Sequence, residues 1–242
     1  MTPTNKKRVA LVTGAARRVG RAVALRLAEA GFDVAFTYLN SEDRAKRLVT
    51  EIRKTGGNAT AIRADLTDPE SAIPAIIAPF RRLDVLVNNA SLYEADTNGP
   101  DALSRARRLW AIHVESPLLI CRSLAPRLKA VGGCIVNMLD LLAERPMPGY
   151  LAYCASKAAL WNLTLGLARE LAPEVRVNGI APGVVEWPDD LPLEKREQYL
   201  RRVPLGRAGT PADVAQAVLF LCQGGQYITG QILRIDGGRS IT

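Results

Sequence analysis

RVALVTGAARRVGRAVALRLAEAGFDVAFTY, residues 8–38, decides the fold. It opens on an apolar run, RVALVT (8–13), and crosses a glycine-bearing turn, TGAARRVG (13–20). An amphipathic stretch with helical spacing follows over 18–30, and Gly31 stands where a helix C-cap belongs. DVAFTY (33–38) then resumes a strand pattern. Strand, helix, strand at this spacing predicts a parallel pair joined by a right-handed crossover.

The same alternation continues along the chain. Further strands are expected at NATAIRAD (58–65), LDVLVNN (83–89), GCIVNML (133–139), VRVNGIAP (175–182) and QILRID (231–236). Several are almost continuously apolar, as strands covered on both faces must be. Helical patterns fall near 42–54, 68–80, 102–130 and 150–172, and Thr210 as N-cap with Pro211 at N1 opens another. The expectation is a single α/β domain spanning 1–242: a three-layer, doubly wound, parallel Rossmann-type sheet of about seven strands. Residues 184–209, rich in proline and charge, read as an insertion at the carboxyl end of the sheet and are expected to act as a substrate lid.

Composition narrows the function classes. The 242 residues are 48% hydrophobic and 23% charged, which is ordinary for a globular chain. No apolar run reaches the roughly 18 residues a bilayer crossing requires, and no signal peptide precedes the first strand, so a cytoplasmic protein without a membrane partner is expected. Cys121, Cys134, Cys154 and Cys222 are scattered without CxxC spacing, and His113 is the lone histidine, so reduced thiols and no metal site are expected. The net charge of +8 fits nucleic acid, anionic lipid or an anionic small molecule. No nucleic-acid-binding motif accompanies it, so most of the basic residues read as solvated surface, with a minority facing an anionic cofactor or substrate.

The turn at 13–20 fits a pyrophosphate, with Gly14 and Gly20 allowing close backbone approach and the helix N-terminus supplying N–H groups. NAD calls for an acid about 20 residues downstream, after the second strand. Here stand Asn40 and Ser41, while the turn carries Arg17 and Arg18. Arginine and hydroxyl donors suit a 2′-phosphate, so NADPH is the expected cofactor. The alternative is that the arginines simply face solvent. Tyr153 and Lys157 lie four apart on one helix face. A nearby ammonium favours phenolate, so the phenol's pKa is expected to fall and make Tyr153 a usable general acid.

With these pieces in order, the sequence resembles the short-chain dehydrogenase/reductase family over its whole length. TGAARRVG (13–20), Asp65, NNAS (88–91), YCASK (153–157), PG (182–183) and IDGG (235–238) carry the resemblance. It implies that Tyr153 donates a proton, Lys157 binds the nicotinamide ribose, and the subunits form a homotetramer. Cofactor contacts are implied for Gly14, Arg17, Arg18, Val19, Gly20, Asn40, Ser41, Asp65, Leu66, Asn88, Asn89, Ala90, Ser91, Pro182 and Gly183. The family's serine thirteen residues before the tyrosine is replaced by Asp140. A carboxylate there repels a developing oxyanion and suits a substrate rich in N–H donors or a C=N bond. That substitution resembles the pteridine reductase branch, which implies a dihydropterin-type substrate. Asp140 then joins Tyr153 and Lys157 as catalytic, and Arg18, Ser91, Tyr93 and Trp187 join the substrate side. Ser91 is implied to touch both the cofactor phosphate and the pterin, and Tyr93 to stack on the ring. For Tyr93 the alternative is local packing, and for Trp187 packing inward. His113 replaces the family's asparagine and is either a packed residue or a proton relay. Rival readings are a carbonyl reductase, for instance of 3-oxoacyl thioesters, and a non-catalytic NADPH sensor.

Overall fold

The computed structural model describes residues 7–187 and 191–242. Seven parallel strands form one sheet: β1 (Val9–Val12), β2 (Asp33–Tyr38), β3 (Ala59–Arg63), β4 (Val85–Asn88), β5 (Cys134–Met138), β6 (Arg176–Pro182) and β7 (Ile232–Ile235). Their spatial order is β3-β2-β1-β4-β5-β6-β7, so the chain crosses the sheet once, between β3 and β4. The strands on either side of that switch, β1 and β4, are neighbours in register from Ala10 opposite Val85 to Val12 opposite Val87.

Period-two alternation assigns side chains to two separate cores. Ala10, Val12, Val85, Val87, Cys134 and Val136 face one layer of helices. Leu11, Leu86 and Ile135 face the other. The first layer holds α1 (Arg18–Glu29), α2 (Glu42–Lys54) and α8 (Pro211–Gln223). The second holds α3 (Pro69–Ile77), α5 (Ser116–Lys129) and α6 (Leu151–Glu170). This is the expected doubly wound sandwich, and Thr210 caps α8 as predicted, exchanging bonds with Asp213 across Pro211.

Two stretches depart from the sequence reading. The single helix expected over 102–130 is α4 (Ala102–Trp110), a π-helical turn at Ala111–Glu115, and then α5. Pro117 lacks the N–H that would bond the carbonyl four residues earlier, and the backbone widens just before it. His113 sits in that wide turn. The segment 184–209 contains a short helix, α7 (Leu193–Leu200), that its proline and charge content concealed. The segment leaves and returns at one point, where Gly209 N–H donates to the Val184 carbonyl at 3.0 Å. No described helix is long and apolar enough to cross a membrane.

Candidate active site

The carboxyl ends of β1, β4, β5 and β6 open onto one crevice, where a doubly wound sheet binds ligands. At its β1 end the turn is built for close approach. Gly14 has φ +66°, and a side chain there would meet Ala90 Cα at 2.8 Å. At Gly20 a Cβ would lie 2.5 Å from the Gly14 carbonyl oxygen. Asn89 braces the turn, donating from its amide to the Thr13 carbonyl at 2.8 Å and to Gly14 O at 3.1 Å. The backbone N–H groups of Asn89 and Ala90 both donate to Thr13 Oγ1. These two residues therefore shape the turn, while Val19 packs against the core beneath it.

The N-terminus of α1 is electrostatically open. Arg17, its N-cap, makes no side-chain cap, and no acid stands in the first turn. Orphan N–H groups and the helix dipole there favour an anion. Beside it lies a cleft of about 330 Å³ lined by Ala16, Arg17, Arg18, Arg21, Arg44, Arg47 and Glu51. Arg21 is paired with Glu51. Among the described residues no ion pair engages Arg17, Arg44 or Arg47. Arg44 and Arg47 escaped the sequence reading, since only the packing of α2 beside α1 brings them to Arg17. Asn40 is exposed, and Ser41 precedes α2 with a hydroxyl that caps nothing.

Arg18 is the one described non-glycine residue with a positive φ, +53°. Its guanidinium reaches the segment after β6, with Nε 2.9 Å from Glu186 Oε2 and a terminal nitrogen donating to the Glu186 carbonyl at 3.0 Å. Asp65 holds the turn after β3 by accepting from Thr67 N and Oγ1. Leu66 is a core residue whose carbonyl accepts from Ser116. Asn88 does not line the crevice. It is buried in the sheet, donating to Asn137 Oδ1 at 2.8 Å. Pro182 ends β6, and Gly183 passes so close to Tyr199 that a Cβ would sit 3.2 Å from its hydroxyl. That hydroxyl accepts from Val184 N, docking α7 on the strand end. Trp187 packs edge-on against Tyr199 at 5.5 Å and beneath Arg196 at 5.9 Å, both on α7. Trp187 thus packs inward on α7.

Past the other side of the crevice, β5 and α6 bring Asp140, Tyr153 and Lys157 together. Asp140 caps a short 3₁₀ turn, Leu141–Ala143, accepting the Leu142 N–H on Oδ1 at 2.9 Å. Its Oδ2 accepts the Tyr153 hydroxyl at 2.7 Å. Lys157 is buried, donates to the Met138 carbonyl at 2.9 Å, and has its ammonium 5.8 Å from the Tyr153 ring centre. The expected lowering of the Tyr153 pKa is reversed. Burial first, and the Asp140 carboxylate next, push the phenol well above 10. Lys157 is itself lowered to about 8 by burial, with Asp140 opposing. Tyr153 is therefore a held proton rather than a poised phenolate.

Tyr93 lies half exposed over this pair. It meets Tyr153 edge-on at 5.0 Å and stacks on Tyr150 at 4.7 Å with an interplanar angle of 16°. Tyr150, three residues before Tyr153, was missed; one turn of α6 puts both on the same side. His113 is 1% exposed, with Nε2 2.8 Å from Ser91 Oγ and Nδ1 2.8 Å from Ser156 Oγ. Burial first, and the Lys157 charge next, hold it well below 6.5, so it is neutral. All four cysteines are buried and free.

A family model described as enoyl-(acyl carrier protein) reductase matches residues 14–240. The chain belongs to the short-chain dehydrogenase/reductase family. It is an oxidoreductase of that family, and its sequence is 36% identical over 241 residues to the 3-oxoacyl-[acyl-carrier-protein] reductase FabG of Staphylococcus aureus (strain Mu50 / ATCC 700699), covering 95% of this chain and 96% of that one. Among solved structures it is similar to a blue fluorescent protein from a metagenomic library in complex with NADPH. That match has TM-score 0.88 and 36% identity, covering 96% of this chain and 97% of the other. It is also similar to FolM alternative dihydrofolate reductase 1 from Brucella canis complexed with NADP, with TM-score 0.83 and 34% identity over 97% and 95% of the two chains.

Proposed function

We propose that this short-chain reductase uses NADPH to reduce a dihydropterin-type substrate to its tetrahydro form. The observation that carries the reading is the 2.7 Å bond from Tyr153 to Asp140. A carbonyl substrate needs donors around its oxygen as negative charge develops. Asp140 instead offers a carboxylate, which repels that charge and attracts ring N–H and amino groups. Tyr93 and Tyr150 add an aromatic wall beside it for a flat heterocycle.

The cofactor end fits NADPH. The turn at Gly14 and Gly20, with Asn89 and Ala90 behind it, would take the pyrophosphate. Arg17, Ser41 and Asn40, with Arg44 and Arg47 across the cleft, would meet the 2′-phosphate. Asp65 and the backbone at Leu66, Pro182 and Gly183 complete the nucleotide side, and Arg18 would serve both ligands on leaving Glu186. Lys157 would hold the nicotinamide ribose. When bound, NADPH supplies the hydride.

The remaining task, delivery of a proton, falls to the chain. Tyr153 holds that proton against Asp140, and a substrate nitrogen entering between them takes it. The Lys157 ammonium stabilises the phenolate left behind. A homotetramer belongs to the same reading.

A second reading, reduction of a 3-oxoacyl thioester, is favoured by the 36% identity to FabG. NADPH oxidation followed with dihydrobiopterin, dihydromonapterin, dihydrofolate and an acetoacetyl thioester separates the two. Turnover of a pterin without the thioester is the expected outcome. Turnover of the thioester alone overturns the proposal.

A further inference from the structure

We infer that His113 is a positioning residue that fixes Ser91 as a hydrogen-bond acceptor toward the substrate, and that it is not a proton relay. Hydrogen-bond direction is fixed along one chain of atoms. Ser156 Oγ lies 2.7 Å from the Tyr153 backbone carbonyl, which can only accept, so the single Ser156 proton is spent there. Ser156 must therefore accept from His113 Nδ1 at 2.8 Å, and that nitrogen carries the ring proton. The imidazole is neutral, so Nε2 is a bare lone pair. Ser91 then donates to Nε2 at 2.8 Å, in preference to the Leu92 carbonyl at 3.3 Å.

The consequence appears at the mouth of the site. Ser91 is exposed, yet its proton points inward, so an incoming group meets only oxygen lone pairs. That fits an N–H or amino donor and does not fit a phosphate oxygen or a substrate carbonyl. Asp140 is the second acceptor, leaving Tyr153 as the one donor among the three side chains. The site so described selects a heterocycle bearing donors, and in this respect the inference rests on the proposed pterin function. His113 cannot pass a proton to Ser91, because its proton is held on the far nitrogen.

The test is a double-mutant cycle of Ser91→Ala and His113→Asn, read as kcat/KM for a dihydropterin, NADPH affinity and thermal midpoint. Asparagine can still present an amide N–H to Ser156 but places nothing at the Nε2 position. Each single change should lower kcat/KM about 3- to 10-fold through KM, the scale of one neutral hydrogen bond. The double variant should be no worse than Ser91→Ala alone, with NADPH affinity within about twofold, because loss of one bond is counted once. His113→Gln, whose carbonyl can reach the Nε2 position, should recover part of the loss. Multiplicative losses in the double variant, or a loss in His113→Asn matched by NADPH affinity, would overturn the inference. Should the protein reduce only the thioester, the pterin reading falls, while non-additive thermal midpoints in the same cycle still test the Ser91–His113 bond, and additive ones overturn it.

Discussion

The two ends of the crevice are made of different materials. The end proposed for the nucleotide is a backbone cradle edged with exposed arginines, where charge is screened and no single contact is decisive. The end proposed for catalysis is a chain of polar atoms that starts at Asp140, is buried at Tyr153, Ser156 and His113, and surfaces at Ser91. The first end gives affinity for an anion in many small increments. The second gives direction, and a single atom out of place is felt.

The sharpest break between the two ends is Tyr153→Phe. It removes the hydroxyl proton that Asp140 Oδ2 accepts and should lower kcat by about 100- to 10,000-fold. NADPH affinity, titrated separately, should stay within a few-fold, and a matched loss of both would erase the distinction. Gly20→Ala strikes the other end, since its methyl would lie 2.5 Å from a carbonyl oxygen that cannot retreat. Cofactor affinity should drop by about 10-fold or more, on the scale of a displaced phosphate cradle; an unchanged value would mean that the turn yields.

Smaller effects belong to the arginines. Arg44→Ala combined with Arg47→Ala should weaken NADPH by about 10-fold and NADH hardly at all, as expected when charge-assisted bonds to one phosphate are lost. The difference should shrink as salt rises. Equal effects on both cofactors would place the 2′-phosphate elsewhere.

The smallest expected signal lies in the pH dependence of stability. His113 is held well below 6.5 in the folded chain, so below that pH the unfolded chain binds the extra proton and stability falls with acid. Lys157, lowered to about 8 from 10.5, obeys the same sign in a higher window: between those values stability rises with pH. Denaturant titrations should show the first slope flattened in His113→Asn and the second in Lys157→Met. Slopes that survive both substitutions would assign the titrations to other groups.

The two ends also differed in how far sequence alone could read them. The sheet was legible because Ala10, Leu11 and Val12 alternate between two cores, and Gly14 and Gly20 announce a turn by type and spacing. Tyr153 and Lys157 were found by spacing and Asp140 through the family resemblance, and the three side chains do lie together. What stayed hidden depends on tertiary approach. Arg44 and Arg47 matter because α2 packs beside α1, and Trp187 turns to α7, a helix disguised by its own composition. The direction of the Tyr153 shift was misjudged because burial, and then the Asp140 carboxylate, push the phenol up. His113 was visible as an oddity, but its role needs the wide turn before Pro117 that aims both ring nitrogens at serines.

The most direct test of an acceptor-lined, donor-selecting site is the ratio of kcat/KM for a dihydropterin to that for an acetoacetyl thioester, measured in the wild type and in Asp140→Ser. The account predicts a wild-type ratio well above one that falls by about 10-fold or more when the carboxylate becomes a hydroxyl, as the loss of charge-assisted bonds implies. A wild-type ratio below one, or a ratio indifferent to Asp140→Ser, would contradict it.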